Sequence, residues 1–189
     1  MAAGLVVGSG GNLSARADDW CWVTGTGTWL DRLDAGSFAR VRIADGAHLA
    51  GPAPTSELAL HLATYRARPD AGVVVHLHPQ SVLLLDAIGE AVRLVTTDHL
   101  FYLRRVARTP FAPPGTAEVA DLAAQAVVDG CDCVVLAHHG CSVVAPTVEL
   151  AHKRAFYLEE AARLTYRALA VGREPAECPP FETALRDAV

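Results

Sequence analysis

The stretch Val73-Val74-Val75-His76-Leu77-His78-Pro79 sets the fold. Its β-branched start, with Asp70-Ala71-Gly72 before it and Pro79 after it, predicts a strand over 73–78. Alternate side chains of a strand share one face, so His76 and His78 project together. Two such imidazoles can share a metal ion, or they can make a half-exposed polar strip. Upstream, Thr55 is a candidate N-cap. Leu58, Leu62 and Tyr65 then recur at helical spacing until Arg68-Pro69, which predicts a helix over about 56–67. Downstream, residues 81–88 read as another helix, so the apolar strand lies between two helices.

The same alternation continues in both directions. Toward the N-terminus, Gly8-Ser9-Gly10-Gly11-Asn12, Trp20-Cys21-Trp22-Val23 and Thr24-Gly25-Thr26-Gly27 suggest strands joined by tight loops. Toward the C-terminus, 94–97 and 105–110 are candidate strands, and 116–128 is a helix closed by Asp129-Gly130. Residues 133–137 form an apolar strand. A long helix then runs from Pro146-Thr147 to about Gly172 on a stripe of Val148, Ala151, Ala155, Leu158, Ala162, Thr165 and Leu169. Strands interleaved with helices, without an internal repeat, predict a three-layer α/β domain. It is expected to span 1–189, with a tail from about 173.

Composition narrows the function. A chain of 189 residues, 51% hydrophobic and 20% charged, is globular, and its length suits one domain. A net charge of -5 disfavours nucleic acid as a partner, because phosphate neutralisation needs clustered Lys and Arg. Lys153 is the only lysine, so Schiff-base chemistry has one candidate and a lysine P-loop is absent. Cys21, Cys131, Cys133, Cys141 and Cys178 form an odd set without CxxC spacing, which suits reduced thiols in a cytoplasmic protein. Cys131 and Cys133 read as packing, with a soft-metal role as the alternative. No window approaches the apolar length of a membrane span, so no membrane partner is expected.

Val134-Val135-Leu136-Ala137-His138-His139-Gly140 adds a second histidine pair at the end of a strand. Neighbours on a strand point to opposite faces, so only one of His138 and His139 can join His76 and His78. A third imidazole would leave a fourth coordination position open, as catalytic zinc requires. Glu57 opens the helix that precedes the first histidine pair, directly after Thr55 and Ser56. Those residues can hold an anion at a helix N-terminus, or they are ordinary capping chemistry. The loop from Gly8 to Leu13 fails the GxGxxG pattern, since Leu13 occupies the last glycine position, which disfavours a dinucleotide fold. Such a loop can still nest an oxyanion, with Asn12 and Thr26 as side-chain donors.

Five motifs in register resemble the class II aldolase/adducin family over about residues 6–172. They are Gly10-Gly11-Asn12-Leu13-Ser14, Thr24-Gly25-Thr26-Gly27, Pro54-Thr55-Ser56-Glu57, His76-Leu77-His78 and His138-His139-Gly140. The resemblance implies an α/β/α domain around a largely antiparallel sheet, and a homotetramer with active sites between subunits. It implies His76, His78 and His139 as ligands of one divalent metal per subunit, Zn2+ first with Mn2+ or Co2+ as alternatives, and His138 turned away. Glu57 would be the acid/base, and Asn12, Thr26, Gly27, Thr55 and Ser56 would hold substrate phosphate. The implied activity is a lyase reaction, cleavage of a ketose 1-phosphate such as L-fuculose 1-phosphate to dihydroxyacetone phosphate and an aldehyde.

The chain departs from the family pattern in three respects. It begins almost at the glycine loop, without the family's preceding helix, so a truncated start and altered subunit packing are expected. The middle segment Thr96-Thr97-Asp98-His99-Leu100-Phe101-Tyr102 puts no tyrosine in clear register, and the segment after Gly172 has none. The acid that protonates the leaving oxygen is therefore unassigned among Asp98, His99 and Tyr102. His61, one helical turn after Glu57, reads as a supporting residue, and His48 and His152 read as surface. Competing functions are a dehydratase of a ketose 1-phosphate such as methylthioribulose 1-phosphate, and a decarboxylase of oxidised tetronate phosphates. Pentulose 5-phosphate epimerases carry Asp where this chain has Glu57. A non-catalytic domain like the adducin head keeps the fold without the ligands.

Overall fold

The computed structural model describes residues 4–181. Its elements are β1 (Asn12–Ala17), β2 (Trp20–Thr24), β3 (Phe38–Arg42), β4 (His48–Ala50), α1 (Leu58–Ala67), β5 (Val73–Leu77), α2 (Gln80–Ala87), α3 (Thr97–Leu103), β6 (Val106–Thr109), α4 (Ala117–Val127), β7 (Cys133–Leu136), β8 (Gly140–Ala145) and α5 (Val148–Ala170). The eight strands form one sheet in the order β4-β3-β2-β1-β5-β8-β7-β6. Every pairing is antiparallel except that of β6 with β7. This is the expected three-layer α/β/α arrangement with a largely antiparallel sheet.

The histidine strand β5 sits between β1 and β8, with His76 opposite Asn12 on one side and Ser142 on the other. A central strand is covered on both faces, which is why its residues form an apolar run and do not alternate with polar ones. One face packs Val74, Val134 and Val144 against Leu60 and Leu62 of α1 and Val119 and Ala123 of α4. The other packs Leu77, Cys141 and Val143 against Val82 and Leu85 of α2, Leu103 of α3 and Leu158 of α5. Each such side chain contributes roughly 1.5–3 kcal/mol when fully buried. In α1 the expected stripe of Leu58, Leu62 and Tyr65 widens to include Leu60, His61 and Thr64, because the helix lies between the sheet and α4.

Several expectations change. Residues 94–97 pair with no strand. Thr96 instead caps α3, its hydroxyl accepting from the His99 amide at 3.2 Å, with Asp98 in the first turn. Helix α1 begins at Leu58, not at about 56, since the Thr55 hydroxyl accepts from the Glu57 amide at 3.3 Å. Strands β3, β4 and β8 were not expected. Strand β8 starts at Gly140 itself, so the glycine belongs to the strand and the chain reverses just before it. The described cysteines are all free, and the Cys131 thiol bonds the Cys133 carbonyl at 3.4 Å, which favours packing over metal binding. No helix among the described residues is long and apolar enough to cross a membrane. The expected tail continues into 182–189, outside the described residues.

Candidate metal centre

Three parts of the fold bring the site together at one end of the central strands. The β5 terminus supplies His76 and His78, the turn between β7 and β8 supplies His139, and the residue before α1 supplies Glu57. One ligand-type atom from each of these four side chains lies within 4.8 Å of all the others. His76 Nε2 is 2.9 Å from His78 Nε2 and 3.0 Å from Glu57 Oε2, and His139 Nε2 is 3.0 Å from Glu57 Oε1. His138 faces away, with its side chain 60% exposed. The strand pairs behind the site approach closely. A Cβ on Gly140 would lie 2.4 Å from the Leu77 carbonyl oxygen and 2.6 Å from His78 Cδ2, so no larger residue fits beside the ligand histidines.

Hydrogen bonds fix the protonation pattern. The backbone carbonyl of Cys141 can only accept, so His76 donates Nδ1–H to it at 3.0 Å and, when neutral, turns a bare Nε2 lone pair into the cluster. Asn12 Nδ2–H donates to Glu57 Oε2 at 3.0 Å, which leaves Asn12 Oδ1 to accept from His61 Nε2–H at 2.5 Å. His61 Nδ1 then accepts from the Ser14 hydroxyl at 2.8 Å, and Ser14 accepts from Tyr65 at 2.8 Å. Complete burial, then the nearby His76, push His61 down to about 3 against the opposing pull of Glu57. His61 is therefore neutral near pH 7. His78 is pushed down to about 4 by burial and by His76 and His139. Burial alone would raise the Glu57 carboxyl, but the Asn12 amide, and the His139 and His76 rings whenever they carry a proton toward it, prevail and lower it below the usual carboxylate range.

These groups fit a divalent cation. Glu57 Oε1 and His139 Nδ1 are buried without a properly directed hydrogen-bond partner, so the cluster is not satisfied by the protein alone. Three imidazoles and a carboxylate form a three-nitrogen, one-oxygen donor set of the kind zinc accepts. The other expected site residues flank it. Thr26 and Gly27 are exposed on the loop after β2, and Ser56 is exposed beside buried Thr55. These two loops are joined by the Thr26 hydroxyl donating to the Pro54 carbonyl at 2.7 Å and the Thr26 amide donating to the Ala53 carbonyl at 3.0 Å. Asn12 is buried, with its side chain directed to Glu57 and His61. Of the candidate acids, His99 is buried against Glu160, Asp98 accepts from Tyr157 at 3.4 Å, and Tyr102 stacks on Tyr157; none belongs to the four-residue cluster.

Over residues 1–166 the chain matches the family described as Class II Aldolase and Adducin N-terminal domain. The chain belongs to the class II aldolase and adducin family. An L-fuculose phosphate aldolase of Methanococcus vannielii is 33% identical over 163 residues, covering 85% of this chain and 86% of that protein. A 3-oxo-tetronate 4-phosphate decarboxylase of Escherichia coli is 32% identical over 169 residues, covering 86% and 79%. A solved L-fuculose 1-phosphate aldolase superposes with a TM-score of 0.82 at 27% identity, covering 93% of this chain and 82% of that one. Class II aldolases use a divalent metal, and the Glu57, His76, His78 and His139 cluster is this family member's candidate site. Two buried carboxylates near the cluster carry no local sequence signal: Asp86 accepts the amide of His138, beside His139, and Glu159 accepts the Ser81 amide at the start of the helix after His78.

Proposed function

We propose that this chain is a metal-dependent aldolase that cleaves a ketose 1-phosphate of the L-fuculose 1-phosphate type to dihydroxyacetone phosphate and an aldehyde. The observation that carries the reading is the convergence of His76, His78 and His139 on Glu57. The three imidazoles would hold one divalent ion, Zn2+ by donor type, and that ion would supply Lewis-acid stabilisation of the negative charge left when the C3–C4 bond breaks. Glu57 would hold and return the proton on the dihydroxyacetone phosphate side, its carboxylate oriented by the Asn12 amide. Thr26, Gly27, Thr55 and Ser56 would receive the phosphate, anchoring the substrate at a point remote from the breaking bond. We further propose a cytoplasmic homotetramer. Exposed Phe111 and Phe156 are suited to a subunit contact, which light scattering in solution checks.

A second reading is a decarboxylase of a 3-oxo-tetronate 4-phosphate, supported by the relatives that carry that description. The metal-loaded protein incubated with ketose 1-phosphates and with 3-oxo-tetronate 4-phosphates separates the two. Dihydroxyacetone phosphate is the expected product. Carbon dioxide alone would establish the decarboxylase, a dehydrated diketone would establish a dehydratase, and no product with negligible bound metal would leave an interaction domain.

A further inference from the structure

The turn that carries His139 is strained, and a carboxylate from another element holds it. Residues Leu136-Ala137-His138-His139 form the reversal between β7 and β8, closed by the His139 amide donating to the Leu136 carbonyl at 3.0 Å. His138, the third residue, has φ +56, in the left-handed region that a side chain disfavours and glycine adopts freely. Asp86 Oδ2 accepts the His138 amide at 2.6 Å, while Oδ1 accepts from Arg108 Nε at 2.6 Å. The Asp86 residue is only 4% exposed, so a carboxylate has been buried where its partners are the turn and one guanidinium.

Asp86 lies in the last turn of α2, and α2 starts two residues after His78. Pro79 at the N-cap offers that helix no side-chain cap. The Glu159 carboxylate of α5 supplies one from a distance, accepting from the Ser81 amide at 2.9 Å, the Ser81 hydroxyl at 2.7 Å and the Val82 amide at 3.2 Å. Helix α2 is therefore fixed at its start beside one ligand histidine, and its end grips the turn that bears another.

We infer that Asp86 is a positioning residue of the metal centre: its carboxylate holds His138 in the left-handed conformation that aims His139 at Glu57, and α2 transmits that hold from His78. This rests on the reading of His76, His78 and His139 as ligands. A hydrogen bond that orients a ligand is worth about 10–100-fold in metal affinity when removed.

A double-mutant cycle tests it. Zn2+ affinity, by competition with a chromophoric chelator, and exchange of the His139 amide in metal-free protein are measured for wild type, Asp86→Ala, His138→Gly and the double variant. Asp86→Ala is expected to weaken Zn2+ binding by about tenfold or more and to speed His139 amide exchange. His138→Gly needs no external hold, so in that background the Asp86→Ala loss should shrink to about threefold or less. Asp86→Asn keeps one acceptor and should give a smaller loss of the same kind; it replaces the alanine variant if that does not fold. Equal losses in both backgrounds, or unchanged exchange at His139, would overturn the inference. A wild type that binds no Zn2+ would remove the metal reading, and the exchange measurement would still decide whether Asp86 holds the turn.

Discussion

The two faces of β5 bury polar groups in different ways. Toward α1 the chain Glu57, Asn12, His61, Ser14, Tyr65 is a continuous run of hydrogen bonds in which only Glu57 is charged. Toward α2 and α5 the buried groups include two carboxylates, Asp86 and Glu159, held by backbone amides together with Arg108 for Asp86 and the Ser81 hydroxyl for Glu159. A neutral support leaves the charge of Glu57 to be balanced inside the site, where a cation would sit. Charged clamps stand where only backbone geometry has to be held. The face that touches the chemistry thus avoids competing charge, and the face that braces it uses charge freely.

Removing a ligand should break this comparison most completely. His76→Ala is expected to abolish bound metal and turnover together, read by elemental analysis and by release of dihydroxyacetone phosphate; metal retained at wild-type stoichiometry would refute the assignment. Glu57→Gln should separate the two, keeping the metal while slowing turnover by at least about a hundredfold.

A smaller effect sharpens the contrast through pH. His61 is pushed from the usual histidine value of 6.5 down to about 3, so between those values the unfolded chain binds a proton that the folded protein refuses. Its contribution to stability is complete above about pH 6.5 and is lost as pH falls toward 3. Urea unfolding of metal-free protein should show this decline, and His61→Gln should flatten it by up to about 1.4 kcal/mol per pH unit. An unchanged slope would mean that His61 is not held neutral. The smallest effect is expected at Lys153, which pairs with Glu149 at 2.9 Å on the solvent side of α5. Lys153→Ala should leave turnover within error of wild type, and loss of cleavage would reopen Schiff-base chemistry.

The strongly patterned elements were legible in the sequence. The β-branched run at 73–77, the stripe of α5 and the caps of α4 each carry a local signal strong enough to predict the element. Strands β3 and β4 were not legible, because Phe38-Ala39-Arg40-Val41-Arg42 and His48-Leu49-Ala50 are short and mostly polar or exposed, and pairing alone makes them strands. Residues 94–97 failed in the opposite sense: Leu94 and Val95 find no neighbouring strand and stay irregular, while Thr96 caps α3 and Thr97 opens it.

The sequence by itself determined that His76 and His78 share a face, that one of two later histidines could join them, and that a carboxylate stands at the start of the helix before them. These follow from strand period and local spacing, which act over a few residues. Only the tertiary structure decided that Asn12 turns toward Glu57, that His61 lies behind it as a neutral donor, and that Asp86 grips the His138 turn. Those contacts join residues 45 to 52 positions apart. They depend on strand order and on which helix covers which face, and no local propensity encodes either.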